Sequence, residues 1–418
     1  MSFNSEFSKQ LASTSGIVDL MEDLGQALNV NPDMLFLGGG NPAHIPDFEE
    51  IIAEHLQSIA KDPEELHRLL GVYQSPQGSE VFIEALVAFF RGRGWPVSKA
   101  NICLTHGSQS AFFMLINLLA GPDADGQAGK ICFPMLPEYL GYADQGIADA
   151  MFCGCLPIIE ELPDNQFKYR VDFDALSRVE DCAALCVSRP TNPTANVLTD
   201  EEVHRLGVIA DERRIPLIVD CAYGDPFPGV VYQEAETIWT DNRIFVLSLS
   251  KLGLPGVRTG IVVADPDVIQ GLVRVNTIVS LANGNFGPAL MTSILKQGQL
   301  EDVCQNILHP FYVRQRDIAF ALIKLHFVGL DYRVHKAEGA FFLWLWFPTL
   351  PISSAELYTR LKARNVLVMD GAHFFFDKAA TWQHSLQCIR LTYCAKPEVL
   401  ARAIEIIADE LRGLSVVC

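Results

Sequence analysis

The chain has 418 residues, 49% hydrophobic and 20% charged, with a formal net charge of −18. That length can bury a large core and divide into two domains, and the acidic surplus argues against a nucleic-acid surface. No apolar run approaches the roughly 18 residues that span a bilayer, and MSFNSEFSKQ lacks the basic-then-apolar order of a signal peptide, so a cytoplasmic protein is expected.

In chain order, GGGNPA (38–43) looks like a nucleotide loop but lacks G-x-G-x-x-G spacing, so a dinucleotide role is rejected. LTHGSQSAFF (104–113) leads a strand through Gly107 into an apolar helix starting near Ser108. The free backbone N–H groups and dipole of such a helix start form a natural phosphate cradle. KICFP (130–134) and AALCVS (183–188) read as strands. After the second, Asn192 lies between two prolines in a turn, placed to offer a side-chain amide. LTDEEVHRLGVIADERR (198–214) reads as a helix, with Thr199 and Glu202 at capping-box spacing and Val203, Leu206 and Ile209 on one face.

IPLIVDCAY (215–223) is a very apolar strand that ends on Asp220, where an isolated carboxylate is costly and needs a cationic or hydrogen-bonding partner. A cofactor pyridinium N–H is such a partner, and Tyr223 lies three residues on. RIFVLSLS (243–250) is followed at once by Lys251, and Arg258 comes seven residues later. A lysine reacts as a nucleophile only when part of it is un-ionised, which a sheltered site or a cationic neighbour provides. Arg258 has the planar fork that suits a phosphate. TGIVVADP (259–266) closes this strand–helix alternation, which predicts an α/β domain over 46–290 with a largely parallel sheet. Residues 291–418 read as a smaller α+β domain, with strands near 331–347, 365–369 and 387–393, and residues 1–45 are expected to pack with it. CIRLTY (388–393) sets Arg390 inside an apolar strand, where its charge demands an anion. Taken singly, each of these features has an ordinary structural explanation. Their order along the chain is what points to one site, because ligands of open α/β sheets bind beyond the carboxyl ends of the strands.

The 11 cysteines are scattered and odd in number. They read as reduced thiols serving as small hydrophobes, Cys153 and Cys155 included, since no second cysteine or histidine pair stands at zinc spacing. The ten histidines form no H-E-x-x-H pattern, and no metal is expected.

The set resembles the fold-type I aminotransferases that depend on pyridoxal 5′-phosphate (PLP), and within them the valine–pyruvate group. The likeness rests on SGIVDLMEDL (15–24), LGGGNPA (37–43), YQSPQG (73–78), GSQSAFF (107–113), PEYLGYAD (137–144), SRPTNPT (188–194), DCAYGDPFPG (220–229), SLSKLGLPG (248–256) and GAFFLWLWF (339–347). It implies a large domain with a mostly parallel, seven-stranded type of sheet. It also implies that Lys251 holds PLP as a Schiff base and shuttles the proton, with Asp220 on the pyridinium nitrogen and Tyr223 and Asn192 on the phenolic oxygen. Gly107, Ser108 and Gln109, with Ser248 and Arg258, would hold the phosphate. Tyr139 would stack on the ring, and Arg390, beside the Gly39 backbone, would bind the substrate α-carboxylate. Tyr73 would reach the phosphate of a partner subunit, which implies a homodimer with shared active sites.

Two departures stand out. Ala195 occupies the glycine place of Asn-Pro-Thr-Gly, and SLANGNFGPA (280–289) differs from the wording expected of the valine group. Residues 276–289 hold no second arginine for a side-chain carboxylate, which favours valine and alanine as amino donors, with pyruvate and 2-oxoisovalerate as the 2-oxo acids. The rival readings are a lyase, decarboxylase or synthase on the same fold, an aminotransferase of other specificity, a non-enzymatic PLP-sensing regulator, and a catalytically dead relative. The early start of the fold and the acidic charge disfavour the regulator, and the presence of Lys251, Asp220, Tyr223 and Arg258 disfavours the dead relative.

Overall fold

A computed structural model describes residues 5–12, 18, 21–23, 25, 26, 31–124, 126 and 128–415. Most of the segment at 15–24 therefore lies outside the described residues. The strands that matter here run in chain order as β1 (Ile102–Thr105), β2 (Ala128–Phe133), β3 (Phe152–Gly154), β4 (Ile158–Leu162), β5 (Gln166–Arg170), β6 (Cys182–Ser188), β7 (Leu217–Asp220), β8 (Arg243–Ser248) and β9 (Gly260–Val263). They continue as β10 (Arg333–His335), β11 (Phe342–Trp346), β12 (Met369–Asp370) and β13 (Cys388–Thr392).

Seven of them form the main sheet in the order β1-β9-β8-β7-β6-β2-β3, with the short Gly121–Pro122 strand added beside β2. The pairs β8–β7, β7–β6, β6–β2 and β2–β3 are parallel. Only β9 runs against its two neighbours, β8 and β1. Helices cover both faces, so β1, β8 and β9 are buried at every position, and the sequence shows continuous apolar runs rather than alternation. The fold class is the expected one: an α/β unit with a mostly parallel sheet, beside a smaller α+β unit.

Helix α1 (Gly107–Leu119) leaves the carboxyl end of β1. Helix α2 (Asp200–Arg213) begins with the capping box read from the sequence: Glu202 N–H donates to Thr199 Oγ1 at 3.1 Å, and Thr199 N–H donates to Glu202 Oε2 at 2.9 Å. Satisfying these helix-start donors stabilises the first turn by about 1 kcal/mol. Helix α3 (Pro266–Ser280) packs beside α1.

The second sheet has the order β12-β13-β11-β10-β5-β4. Its inner strand β11 is the FLWLW run, with Trp344 fully buried. The hairpin β4–β5 comes from the middle of the α/β alternation, yet β5 pairs in parallel with β10. A hairpin carries no local signal of which sheet its free edge joins; long-range pairing decides it. Among the described N-terminal residues, Leu35–Phe36 pairs with Val366–Leu367, and Asp23 bonds Tyr358 and Lys362.

A buried ion pair in the second unit bonds to the loop that follows β6. Lys168 on β5 lies 2.5 Å from Glu338 Oε2, also donates to Val197 O at 3.0 Å, and Glu338 accepts Val197 N–H at 3.1 Å. Glu338 Oε1 also lies 3.2 Å from the half-exposed Lys336 Nζ, so Lys168→Met leaves the carboxylate one cation and is expected to lower the unfolding free energy by about 1–3 kcal/mol, read from urea denaturation. A loss under about 1 kcal/mol would show that water reaches the pair.

Candidate active site

The expected residues converge where β6, β7 and β8 end. A cleft there is lined by Ser108, Gln109, Tyr139, Ser188, Pro190, Asn192, Asp220, Ala222, Tyr223, Ser248, Ser250, Lys251 and Arg258.

Asp220 is the last residue of β7. Its Oδ1 accepts Ala222 N–H at 2.8 Å and its Oδ2 accepts the Tyr142 hydroxyl at 2.5 Å. Burial raises its affinity for a proton, and the Tyr142 and Ala222 bonds together with the nearby Lys251 charge oppose that. The carboxylate is thus held from behind and lacks a cation in direct contact.

Lys251 follows β8 by three residues, and its Nζ donates to Gly40 O at 2.6 Å. It lies 5.3 Å from the centre of the Tyr223 ring and 5.7 Å from that of Phe341. Burial, with help from the Arg390 charge, lowers its pKa from 10.5 to about 8. At pH 8 about half of it is therefore un-ionised, against under about a hundredth for an ordinary lysine. With cofactor removed, the rate at which a lysine-directed aldehyde labels residue 251 should rise through about pH 8; a rise only near the ordinary lysine value would contradict the burial. The Tyr223 hydroxyl is buried and has no partner among the described residues. A buried hydroxyl left unpaired is costly, which points to a ligand atom as its partner.

The start of α1 meets the start of β9. Gly107 has φ +77°, and a Cβ there would stand 2.3 Å from Arg258 Nη2. A Cβ on Gly260 would stand 2.5 Å from Gly107 C and 2.7 Å from Ser108 N. Two glycines thus let a guanidinium and a strand end close on the free N–H groups of a helix start, which is an anion cradle. Arg258 has only long bonds of its own, to His106 O at 3.4 Å, Ser250 Oγ at 3.4 Å and Pro255 O at 3.5 Å. Gly107→Ala should displace Arg258 and strain the backbone, weakening cofactor binding by about 10- to 100-fold in equilibrium dialysis. An unchanged affinity would remove the phosphate from this turn.

Arg390 of β13 is 3% exposed. It donates to Asn192 Oδ1 at 2.6 Å and to Gly38 O at 2.8 Å, and its Nε has no partner. No carboxylate among the described residues pairs with it. The Gly39 position expected from the sequence is flanked by the two carbonyls that make these contacts, Gly38 O to Arg390 and Gly40 O to Lys251. A Cβ on Gly39 itself would stand 2.5 Å from Phe36 Cε1.

Tyr139 lines the cleft and donates to Gln109 Oε1 at 3.3 Å. Its ring lies over Gly141, where a Cβ would stand 2.6 Å from Tyr139 Cε1. Ser248 Oγ accepts Ser250 N–H at 3.1 Å. Tyr73 does not line the cleft and is 84% exposed. Ala195 adopts φ +61°, so the glycine place does demand a left-handed backbone. Alanine strain of about 1–2 kcal/mol is largely offset by the unfolded-state entropy that glycine would add and by burial of the alanine methyl, each worth up to about 1 kcal/mol, so alanine is tolerated.

Sequence reasoning missed Glu138, Tyr142, Gly38 and Gly40. A signal for Glu138 existed: a carboxylate directly after Cys-Phe-Pro-Met-Leu-Pro, in an apolar stretch, requires a buried partner.

Residues 32–407 match the family model for aminotransferase class I and II. The chain belongs to that family. As an aminotransferase it is 43% identical over 406 residues to valine–pyruvate aminotransferase of Escherichia coli K12, covering 97% of each chain. The crystal structure of valine–pyruvate aminotransferase from Salmonella typhimurium LT2 superposes with a TM-score of 0.88 at 42% identity, covering 96% of this chain and all of that one. A Psychrobacter arcticum 273-4 crystal structure gives 0.96 at 40% identity, over 100% and 99% of the two chains. Thermus thermophilus aspartate aminotransferase, 21% identical, shares the fold with a TM-score of 0.78, covering 98% of this chain and all of that one.

The enzyme is PLP-dependent, as its family is. The residues present fit that cofactor: a sheltered amine, a carboxylate ready for a ring N–H, an unpartnered buried phenol and an anion cradle share one cleft. Among the described residues no cluster could hold a metal, and no helix is long and apolar enough to cross a membrane.

Proposed function

We propose that this aminotransferase moves the amino group between an aliphatic L-amino acid, valine or alanine, and a 2-oxo acid, pyruvate or 2-oxoisovalerate. The observation that carries the reading is the arginine count. Arg390 has spare donors, and Arg258, committed to the cradle, is the only arginine among the described residues lining the cleft. Arg390, bonded to the lining residue Asn192, thus offers an anion site for the α-carboxylate at the cleft's edge, and the lining holds no second one for an acidic side chain. The 43% identity to the E. coli valine–pyruvate enzyme supports the same choice.

In this reading PLP supplies an electron sink and carries the amino group between the two half-reactions. Lys251 Nζ would hold the cofactor covalently and, once freed, would take up and give back the substrate Cα proton. Asp220 would pair with the ring N–H. Tyr223 Oη and Asn192 Nδ2 would serve as donors to the phenolic oxygen, and Tyr139 would cover the ring. Ser108, Gln109, Ser248 and Arg258 would hold the phosphate. Arg390 fixes the carboxylate and so turns the Cα–H bond toward Lys251.

Supplied singly without a 2-oxo acid, valine and alanine should each bleach the bound-cofactor absorbance and release 2-oxo acid in equal amount to the amino acid consumed. Aspartate should not. A response to aspartate alone would overturn the substrate class, and release of carbon dioxide would indicate a decarboxylase instead.

We further infer a cytoplasmic homodimer with shared sites. The ten described cysteines are free thiols, which suits a reducing compartment. Tyr73, Leu70, Ile278 and Leu281 are exposed, and Asn276 of α3 ties the Tyr73 segment to that helix by donating to Pro76 O at 2.7 Å. Exposed apolar side chains of this kind suit a partner. Sedimentation should give a dimer, and Tyr73→Phe should weaken cofactor binding by about 10-fold. A monomer of full activity would contradict both.

A further inference from the structure

From Asp220, three further side chains continue in a line of contacts: Tyr142, Ser188 and Glu138. Tyr142 Oη lies 2.5 Å from Asp220 Oδ2 and 3.1 Å from Ser188 Oγ. Ser188 Oγ lies 2.6 Å from Glu138 Oε2, and Ser188 N–H donates to Glu138 Oε1 at 2.9 Å. Glu138 is 1% exposed, and neither it nor Tyr142 lines the cleft.

Proton counting decides the state of this line. Its three oxygen–oxygen contacts need three protons, and Tyr142 and Ser188 bring one each. With Glu138 ionised, two lone pairs would face each other and a second buried anion would stand near Asp220. With Glu138 protonated, every contact is filled in one direction: Glu138 to Ser188 Oγ, Ser188 to Tyr142 Oη, Tyr142 to Asp220 Oδ2. The reverse arrangement, with the third proton on Asp220, puts the anion at the end that lacks a cation. Glu138 faces neutral Ser188, Tyr142, Cys186 and the Tyr139 backbone, with Asp220 the one charge acting on it, whereas Asp220 has Lys251 nearby.

We propose that Glu138 stays protonated in the working enzyme and ends a one-way donor chain, through Ser188 and Tyr142, that keeps Asp220 ionised and turned toward the cleft. This rests on the role given to Asp220 above. Glu138 is then a positioning residue, touching neither substrate nor cofactor. Burial first, and the Asp220 charge in addition, push its carboxyl up to about 8 against the opposing Ser188 bonds, which keeps it neutral at pH 7. Networks of this kind are strongest when fully satisfied.

Infrared difference spectroscopy tests the proton directly. The wild-type protein, with or without cofactor, should show the carbonyl stretch of an un-ionised buried carboxylic acid that Glu138→Gln lacks and that titrates away near pH 8. Kinetics of the holoenzyme test the coupling. Glu138→Ala should lower kcat about 10-fold with KM for the amino acid nearly constant. Glu138→Gln can still donate to Ser188 Oγ and accept Ser188 N–H, so it should recover most of kcat, and the fall of wild-type kcat expected above about pH 8 as Glu138 ionises should be absent from it. Absence of the band, its persistence in Glu138→Gln, a kcat for Glu138→Gln as low as for Glu138→Ala, or full activity in Glu138→Ala would each overturn the proposal. Should Glu138→Ala fail to fold, the band and the Glu138→Gln pH profile decide. Failure of the underlying reading would show separately, as no borohydride-fixed cofactor on Lys251, and leaves the infrared band untouched.

Discussion

Lys251→Ala is expected to lower the rate of valine–pyruvate transamination by at least about 10⁴-fold. Proton transfer by a positioned group contributes about 10²–10⁴, and loss of the covalent hold on the cofactor adds to it. The fold should be indifferent to the change. The only hydrogen bond Nζ makes within the described residues is to Gly40 O, at 2.6 Å, and its burial penalises the charged amine. The variant should therefore denature at the same urea concentration as wild type when both lack cofactor. Borohydride should fix cofactor on residue 251 of the wild type and nowhere in the variant. A variant that keeps a tenth of the wild-type rate would remove Lys251 from the chemistry.

The second large effect is expected at Arg390. Its guanidinium is buried, spans Asn192 and Gly38, and faces the Phe342 and Phe374 rings with its Cζ 4.2 and 5.1 Å from their centres. Desolvation lowers even this guanidinium, to about 10, so it is charged at neutral pH at a cost that an incoming carboxylate relieves. Removing one side of a buried, hydrogen-bonded charge pair forfeits about 2–5 kcal/mol. Arg390→Leu should thus reduce kcat/KM by about 30- to 5000-fold, for valine and alanine alike, because the lost contact is to the part they share. Arg390→Lys should not restore it: one ammonium cannot hold Asn192, Gly38 and a bidentate carboxylate at once. Cofactor affinity should change little. A loss confined to one amino acid would instead place Arg390 at the side-chain pocket.

How each residue could be found depended on what its surroundings demand. Asp220 and Arg390 stood out because a charge ending or interrupting an apolar strand needs an opposite partner, and the fold sets Asp220 in the cleft and Arg390 against Asn192 of its lining. Lys251, Arg258, Ser108 and Asn192 stood out because they follow strands, where an open parallel sheet exposes loop residues. Ala195 could be flagged from the motif, and its φ of +61° is the backbone that the glycine place requires. Glu138, Tyr142 and Ser188 were hidden. Their meaning comes from a line of contacts across two strand ends and one loop, residues 46 and 78 apart from Tyr142 along the chain. Gly38 and Gly40 were hidden for the same reason, since backbone carbonyls carry no sequence signature.

The amino-acid sequence by itself determined the class of the main sheet, the capped helix at 199–213 and the set of polar groups that an apolar chain cannot leave unpartnered. Local patterning specifies these because strand burial, helix caps and stranded charges depend on near neighbours. Tertiary structure alone decided that the 158–170 hairpin completes the second sheet, that Gly38 and Gly40 offer the carbonyls holding Arg390 and Lys251, and that Tyr73 lies outside the cleft of its own chain. Each of those depends on segments far apart in sequence meeting in space, and the free energy of such meetings belongs to the pair and is written in neither partner.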